Sequence, residues 1–168
     1  MKVLGIDPGL ATIGYGVIEN DGKVSRVVDY GVIVTPKEEN TANRLAMIDK
    51  ASEELIRKFA PDVIAMEELF FNTNVTTAIR VAMARGVLLV NAVKHCGELY
   101  EYTPLQIKQA MVGYGRADKR QVQEMVKVYL KLDKIPRPDD AADALAVALT
   151  HVQTGVLAGK FRIQVVYD

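Results

Sequence analysis

Cysteine is nearly absent: Cys96 is the single thiol in 168 residues. No internal disulfide can form, which suits a reducing compartment. A lone cysteine also lacks the company that a nucleophile or thiolate metal site needs, so we read Cys96 as ordinary packing or surface. Net charge is missing too. Lys plus Arg and Asp plus Glu number 21 each, so any basic surface has to come from local clustering. No apolar run reads as long enough to span a bilayer. The first residues pass directly into a strand containing Gly5 and Asp7, unlike a signal peptide. Repeats, low-complexity tracts and linkers are lacking. What is present is 49% hydrophobic and 25% charged, which predicts one soluble domain with a real core. We expect it in the cytoplasm, away from membranes.

The organising stretch is Val3-Leu4-Gly5-Ile6-Asp7-Pro8-Gly9. A short apolar run without helical period, stopped by Pro-Gly, reads as a buried strand ending at a carboxylate. Asp7 either caps a turn or meets a partner such as a metal ion, because a charge at the end of a core strand is costly alone. Thr12 to Ile18 is the next strand, and Asp21-Gly22 is a hairpin signal. Val24 to Val28 reads as the return strand and Tyr30 to Val34 as a third, ended by Pro36. The chain thus opens as a three-stranded antiparallel meander. Gly9, Gly14 and Gly16 leave the backbone near Asp7 bare. They suit hairpin twist and bulges or close approach of a phosphate backbone.

From Thr41 to Phe59 the period changes to that of an amphipathic helix, ended before Pro61. Val63-Ile64-Ala65-Met66 is a second buried strand and runs into Glu67-Glu68. Strand, helix, strand is the pattern of a parallel crossover. With these two strands as neighbours, Asp7 and Glu67 share the carboxyl end of a sheet, where open α/β sheets place their ligands. Phe70-Phe71 follows; core filling and stacking on an unpaired base are both open. Thr76 to His95 is a helix apolar nearly all round, expected to be buried on more than one side, either as the central helix of a monomer or in part against a second subunit. Gly97 suits its C-terminal cap.

Leu99 to Tyr102 is a fifth strand, and Thr103-Pro104 opens a short helix. The local charge then turns positive. Lys108, Arg116, Lys119, Arg120, Lys127, Lys131 and Lys134 outnumber the acids around Gly113-Tyr114-Gly115, which suits phosphate contacts or a solvated helix face. After Pro136-Arg137-Pro138, a helix starts with Asp139 and Asp140. Asp140 and Asp143 are three apart and share a face. Capping and dipole compensation cover the first two aspartates but not Asp143, which sits among alanines and Leu145. The alanines let this helix lie close to a sheet. His95 and His151 read as surface or packing residues, with His151 kept as a possible flank of the site. Phe161 to Val165 alternates like an edge strand or a tail.

Asp7, Glu67, Asp140 and Asp143 therefore stand out as one set of acids without cysteine. Hard oxygen donors select Mg²⁺ or Mn²⁺ over zinc. Two such ions ~3.5–4 Å apart would hold the attacking and leaving oxygens of a phosphodiester displacement.

Gly5-Ile6-Asp7-Pro8-Gly9, Met66-Glu67-Glu68-Leu69-Phe70, Gln106-Ile107-Lys108-Gln109 with Gly113-Tyr114-Gly115, and Asp140 to Ala146 with Thr150-His151 resemble the RuvC family of Holliday junction resolvases. The resemblance covers Met1 to about His151. It implies an α/β, ribonuclease H-like fold: a mixed five-stranded sheet with helices on both faces. The nuclease domain would span residues 1–154, with 155–168 a C-terminal tail. It implies a homodimer that nicks two strands of a four-way DNA junction symmetrically, in recombination and repair, with Mg²⁺, and that works with a junction-binding, branch-migrating helicase complex. By the resemblance Asp7, Glu67, Asp140 and Asp143 are the catalytic acids, with Glu67 rather than Glu68 the ligand. Lys108, Lys119 and Phe70 match positions used toward DNA, beside the basic Arg116 and Arg120. Two rivals share the fold: an actin-like or sugar-kinase ATP-binding domain, which needs a second subdomain this chain is too short for, and a catalytically silent nucleic-acid-binding module, which needs no converging acids.

Overall fold

The strand that ends at Asp7 takes the middle of the sheet. In the computed structural model, which describes residues 1–69 and 75–155, β1 (Lys2–Asp7) has β2 (Thr12–Asn20) antiparallel on one side and β4 (Val63–Glu67) parallel on the other. The order is β3-β2-β1-β4-β5, with β3 (Ser25–Val34) and β5 (Leu99–Tyr102) at the edges. β2 and β3 pair antiparallel, β4 and β5 parallel. The expected mixed five-stranded sheet is present.

Local chemistry explains most boundaries. Asp21 accepts from the backbone N–H groups of Lys23 and Val24 at 2.9 Å each, and Gly22 takes a φ of +91° to close the hairpin. α1 (Thr41–Phe59) is capped by the Asn40 side chain and stopped by Ala60 before Pro61. α3 (Pro104–Val112) and α4 (Lys119–Tyr129) each carry a full capping box, from Thr103 with Gln106 and from Asp118 with Gln121. The two strand runs expected between Val24 and Val34 are one strand. Asp29 does not interrupt it: this edge position leaves the carboxylate in reach of Tyr15 and Lys58, and a register shift at Val17/Ile18 absorbs the irregularity.

Helices cover both faces. α1 and α2 (Val75–His95) close one face, where Leu4, Ile6, Ile64 and Met66 meet Ile48, Ile56, Ala84 and Leu88. On the other, α3, α4 and α5 (Asp139–Thr154) bring Ile107, Met111, Val122, Val126 and Leu145 onto Val3, Ala65 and Tyr102. Cys96 packs beside the first cluster, as read. Two expectations for α2 need correction. Among the described residues Thr76–His95 is long and apolar enough to cross a membrane by length and composition, because Arg80 and Arg85 are too few to lower its apolar character. It nevertheless forms a layer of this domain, through Ala84, Leu88 and Ala92 and through Asn91, which donates to Asp49 and Ser52 of α1. Nor is it buried on several sides: Ile79, Met83 and Val90 are about half exposed. The run Phe70–Phe71 and the tail from 156 onward lie outside the described residues.

The glycines near Asp7 have a different use from either reading above. α5 lies directly on the backbone of β1 and β2. A Cβ at Gly14 would overlap the Asp140 carbonyl oxygen, and one at Gly5 the Ala144 carbonyl oxygen. A Cβ at Gly16 would stand 2.7 Å from the Leu145 side chain. Bare strand backbone meets an alanine face, and the helix carrying two of the acids is seated against the strand carrying the first. Gly14→Ala is therefore expected to cost ~1–3 kcal/mol or more by overpacking and to push Asp140 away from Asp7. A thermal melt would read a melting temperature several degrees lower. A variant that melts like the parent would mean α5 has room to move.

Candidate active site

Four carboxylates meet at one end of the sheet. Asp7 is the last residue of β1 and Glu67 the last of the adjacent parallel strand β4. Asp140 stands on the first turn of α5 and Asp143 one turn further along the same face. Asp7 pairs with Gly14, the residue whose backbone lies under Asp140, so the helix start sits over the strand end. The sequence could not choose between Glu67 and Glu68. In the structure Glu67 lines a cavity with Asp143, while Glu68, beyond the strand end, is exposed and acts on Arg85 by charge.

The electrostatics are those of a crowded acid cluster. Burial first, then the charges of Glu67, Asp143 and Asp140, push the Asp7 carboxyl up to about 8. The hydrogen bond between the two side chains also raises Asp7 and works against the rise of Glu67. Burial and Asp143 raise Glu67 as well, against the opposing Asp7 hydrogen bond, Lys119 and Lys108. Burial also raises Asp143, opposed by its hydrogen bond to Lys119. The Lys119 Nζ stands 2.7 Å from Asp143 and 3.8 Å from Asp139. Arg137 pairs with Asp139 at the rim.

Beside the acids lies a cavity of about 180 Å³. Glu67, Asp143, Lys108 and Lys119 form its polar wall; Pro104, Ile107, Val122 and Ala146 form the apolar one. Lys108 and Lys119 thus join the acids. Arg116 and Arg120 do not. Both are exposed, and Arg120 borders a separate hollow with Val112, Gln121 and Met125. Phe70 lies outside the described residues. His151 is not a flank of the site: it is buried two turns along α5, its Nδ1 2.7 Å from the Tyr102 hydroxyl and its ring against Tyr100. Burial holds its imidazole below the usual range.

The donor set fits a hard divalent cation. It offers carboxylate oxygens without sulfur, and the upward push on Asp7 from the neighbouring acids marks a repulsion that a cation would relieve. The seat is not closed in advance. Among the described residues no three His, Cys, Asp or Glu side chains are grouped as a ready metal cage, and Lys119 occupies Asp143.

A five-stranded mixed sheet in this order, helices on both faces and acids at the ends of the central strands define a ribonuclease H-like nuclease. The family model described as crossover junction endodeoxyribonuclease RuvC matches residues 3–151. The crossover junction endodeoxyribonuclease RuvC of Alkaliphilus oremlandii is 54% identical over 164 residues, 98% of this chain and 100% of that protein. The solved structure of Thermus thermophilus RuvC superposes with a TM-score of 0.88 at 38% identity, covering 96% of this chain and 99% of that one. The same protein in complex with a Holliday junction substrate gives a TM-score of 0.88 at 34% identity, over 97% of this chain and 100% of that one. The chain belongs to the RuvC family of crossover junction endodeoxyribonucleases.

The raised Asp7 carboxyl makes stability depend on pH. Unfolded, the group releases its proton near the ordinary value of 3.8; folded, it releases it near 8. Between those values the folded chain holds a proton the unfolded chain has lost, so this contribution declines as pH rises through the window. In EDTA the melting temperature should fall from pH 5 to pH 8, and Asp7→Asn should flatten the slope. MgCl₂ should restore most at pH 8, where it no longer competes with the proton. A parent slope that Asp7→Asn leaves unchanged would remove Asp7 from the cluster.

Proposed function

We propose that this protein resolves four-way DNA junctions, in recombination and repair, by nicking two strands symmetrically with Mg²⁺ bound at Asp7, Glu67, Asp140 and Asp143. The observation that carries this reading is the convergence of those four acids beside Lys108 and Lys119, in a chain of the RuvC family. Two ions per site, with Mn²⁺ able to substitute, would supply charge to the attacking water and to the leaving 3′ oxygen of the phosphodiester.

The chain's own residues do the positioning. Lys119 reaches over the acids on an exposed stem and exchanges Asp143 for a phosphate oxygen when DNA enters. Lys108 lines the same cavity and holds the same phosphate by charge. The wall of Pro104, Ile107 and Val122 keeps water from approaching from behind. Arg116 and Arg120 take flanking phosphates. Phe70 is assigned to unpaired bases at the junction centre, and this assignment rests on the sequence resemblance.

A second copy of the chain supplies the second nick. The outer face of α2 carries Ile79, Met83 and Val90, each about half exposed, and apolar stripes of this kind mark protein contacts. Sedimentation of the parent should give a dimer and Met83→Glu should shift it toward monomer. A dimer unaffected by that charge would place the contact elsewhere.

The activity is tested with a labelled synthetic four-way junction and a matched linear duplex, each in Mg²⁺ and in EDTA. Paired nicks in opposite arms of the junction alone, in Mg²⁺ alone, are expected. Asp7→Asn should abolish nicking and leave junction binding within a few-fold, because it removes a metal ligand and no DNA contact. Lys119→Ala should weaken binding and reduce its salt slope by about one. Binding without cutting in any divalent metal would favour a silent binding module.

A further inference from the structure

Glu67 is the acid with the thinnest support. Asp7 keeps a partner in Gly14 of β2, a nine-residue strand itself backed by β3, and Asp140 and Asp143 ride on a helix whose next residues are fully buried. Pairing of β4 with β1 stops at Ile6↔Met66, one residue short of Glu67. At Glu67 itself the remaining partner is Tyr102 of β5, followed by a hydrogen bond from the Glu68 N–H to the Tyr102 carbonyl at 2.9 Å. β5 is four residues long and lies at the sheet edge. A short edge strand with one neighbour is weakly held by its ladder alone, so what fixes β5 also fixes Glu67.

Each face of β5 carries one polar pin. On the α5 side Tyr102 meets His151. On the α2 side Glu101, opposite Met66 in the register, forms an ion pair with Arg85. Both side chains of that pair are about four-fifths buried, at 20% and 19% exposure. The charge of Glu68, next to the metal ligand, also acts on Arg85. The activity described above makes no use of this arginine, and a mere surface ion pair would not be buried.

We propose that Arg85 is a positioning residue for Glu67: through Glu101 it clamps the edge strand that supports the end of β4, and so sets the affinity of the acid cluster for its cation. The proposal rests on the metal-site reading above. Outer residues that orient metal ligands typically change affinity by about 10- to 100-fold when removed.

The test uses the full chain, with MgCl₂ as the probe and thermal melting as the readout, so that no nuclease activity is needed. The midpoint of the Mg²⁺-induced rise in melting temperature is measured for the parent, Arg85→Met, Glu101→Gln and the charge swap Arg85→Glu with Glu101→Arg. Asn91→Ala is the control. It breaks a buried contact of the same helix α2 with α1 and should lower the melting temperature while leaving the Mg²⁺ midpoint in place. Arg85→Met should move that midpoint about tenfold higher, with junction binding in EDTA unchanged within twofold, and the swap should recover at least part of the shift. Should Arg85→Met not fold, Glu101→Gln, which keeps the shape and removes the charge, gives the same reading. A parent midpoint in both variants, with a lower melting temperature alone as in Asn91→Ala, overturns the proposal and leaves the metal site standing. No Mg²⁺ response in the parent overturns the metal-site reading and this proposal with it.

Discussion

The contact on which the rest depends is between backbones. α5 rests on Gly5, Gly14 and Gly16 with little between helix and sheet but hydrogens. Its own contribution to that contact is Ala141, Ala144 and Ala148, all fully buried. A small-on-small interface buries few methylenes per residue, so its strength comes from density: many atom pairs near their optimal separation. Leu145, Val147 and Leu149 supply the larger apolar area around it. The close seat fixes where the first turn of α5 ends up. Asp140 and Asp143 cannot withdraw toward solvent without lifting the helix from the strands.

The acid cluster follows from that constraint and works against folding. A carboxyl that keeps its proton to about 8 has been placed where its charge is opposed by burial and by three neighbours. Two apolar clusters, one on each face of the sheet, hold the frame while its end is electrostatically strained. Functional centres commonly carry such strain at the expense of stability. Lys119 is the chain's own relief. Its ammonium on Asp143 does locally what a cation would do for the whole set. A lysine is suited to the exchange, because a compact charge on a flexible stem can leave a carboxylate for a phosphate without rearranging the backbone.

Much of this was legible in the sequence because it is local. Pro8-Gly9 ended β1 at Asp7; Thr103-Pro104 announced the cap of α3; Asp21-Gly22 announced the hairpin. Asp143 was conspicuous as an acid among alanines, and the parallel crossover placed Asp7 and Glu67 at one sheet end. The unread parts depend on partners far along the chain. Gly14 and Gly16 looked like bulge residues or a phosphate approach, since nothing near them says that a helix beginning 125 residues later lies on top. Asp29 looked like a break because a charge inside a strand is unusual, and an edge position removes the objection. The apolar composition of α2 suggested burial on more than one side, yet composition cannot tell a core face from an exposed one. Nothing near Arg85 in the sequence points to Glu101 as its partner.

That last omission bears on how precisely such a centre can be built. A phosphodiester displacement is sensitive to the placement of its ligands, and errors near 1 Å can cost orders of magnitude in rate. The four acids inherit their positions from elements of unequal stiffness. The central strand and the buried helix are held by apolar packing on every side, and apolar packing is non-directional. The end of β4 has an edge strand of four residues instead, and there the fold turns to directional contacts, an ion pair on one face and a hydrogen-bonded histidine on the other. Buried polar contacts of this kind add little net stability. What they add is a defined register where packing alone would leave one open, and at Glu67 register is what the proposed chemistry would require.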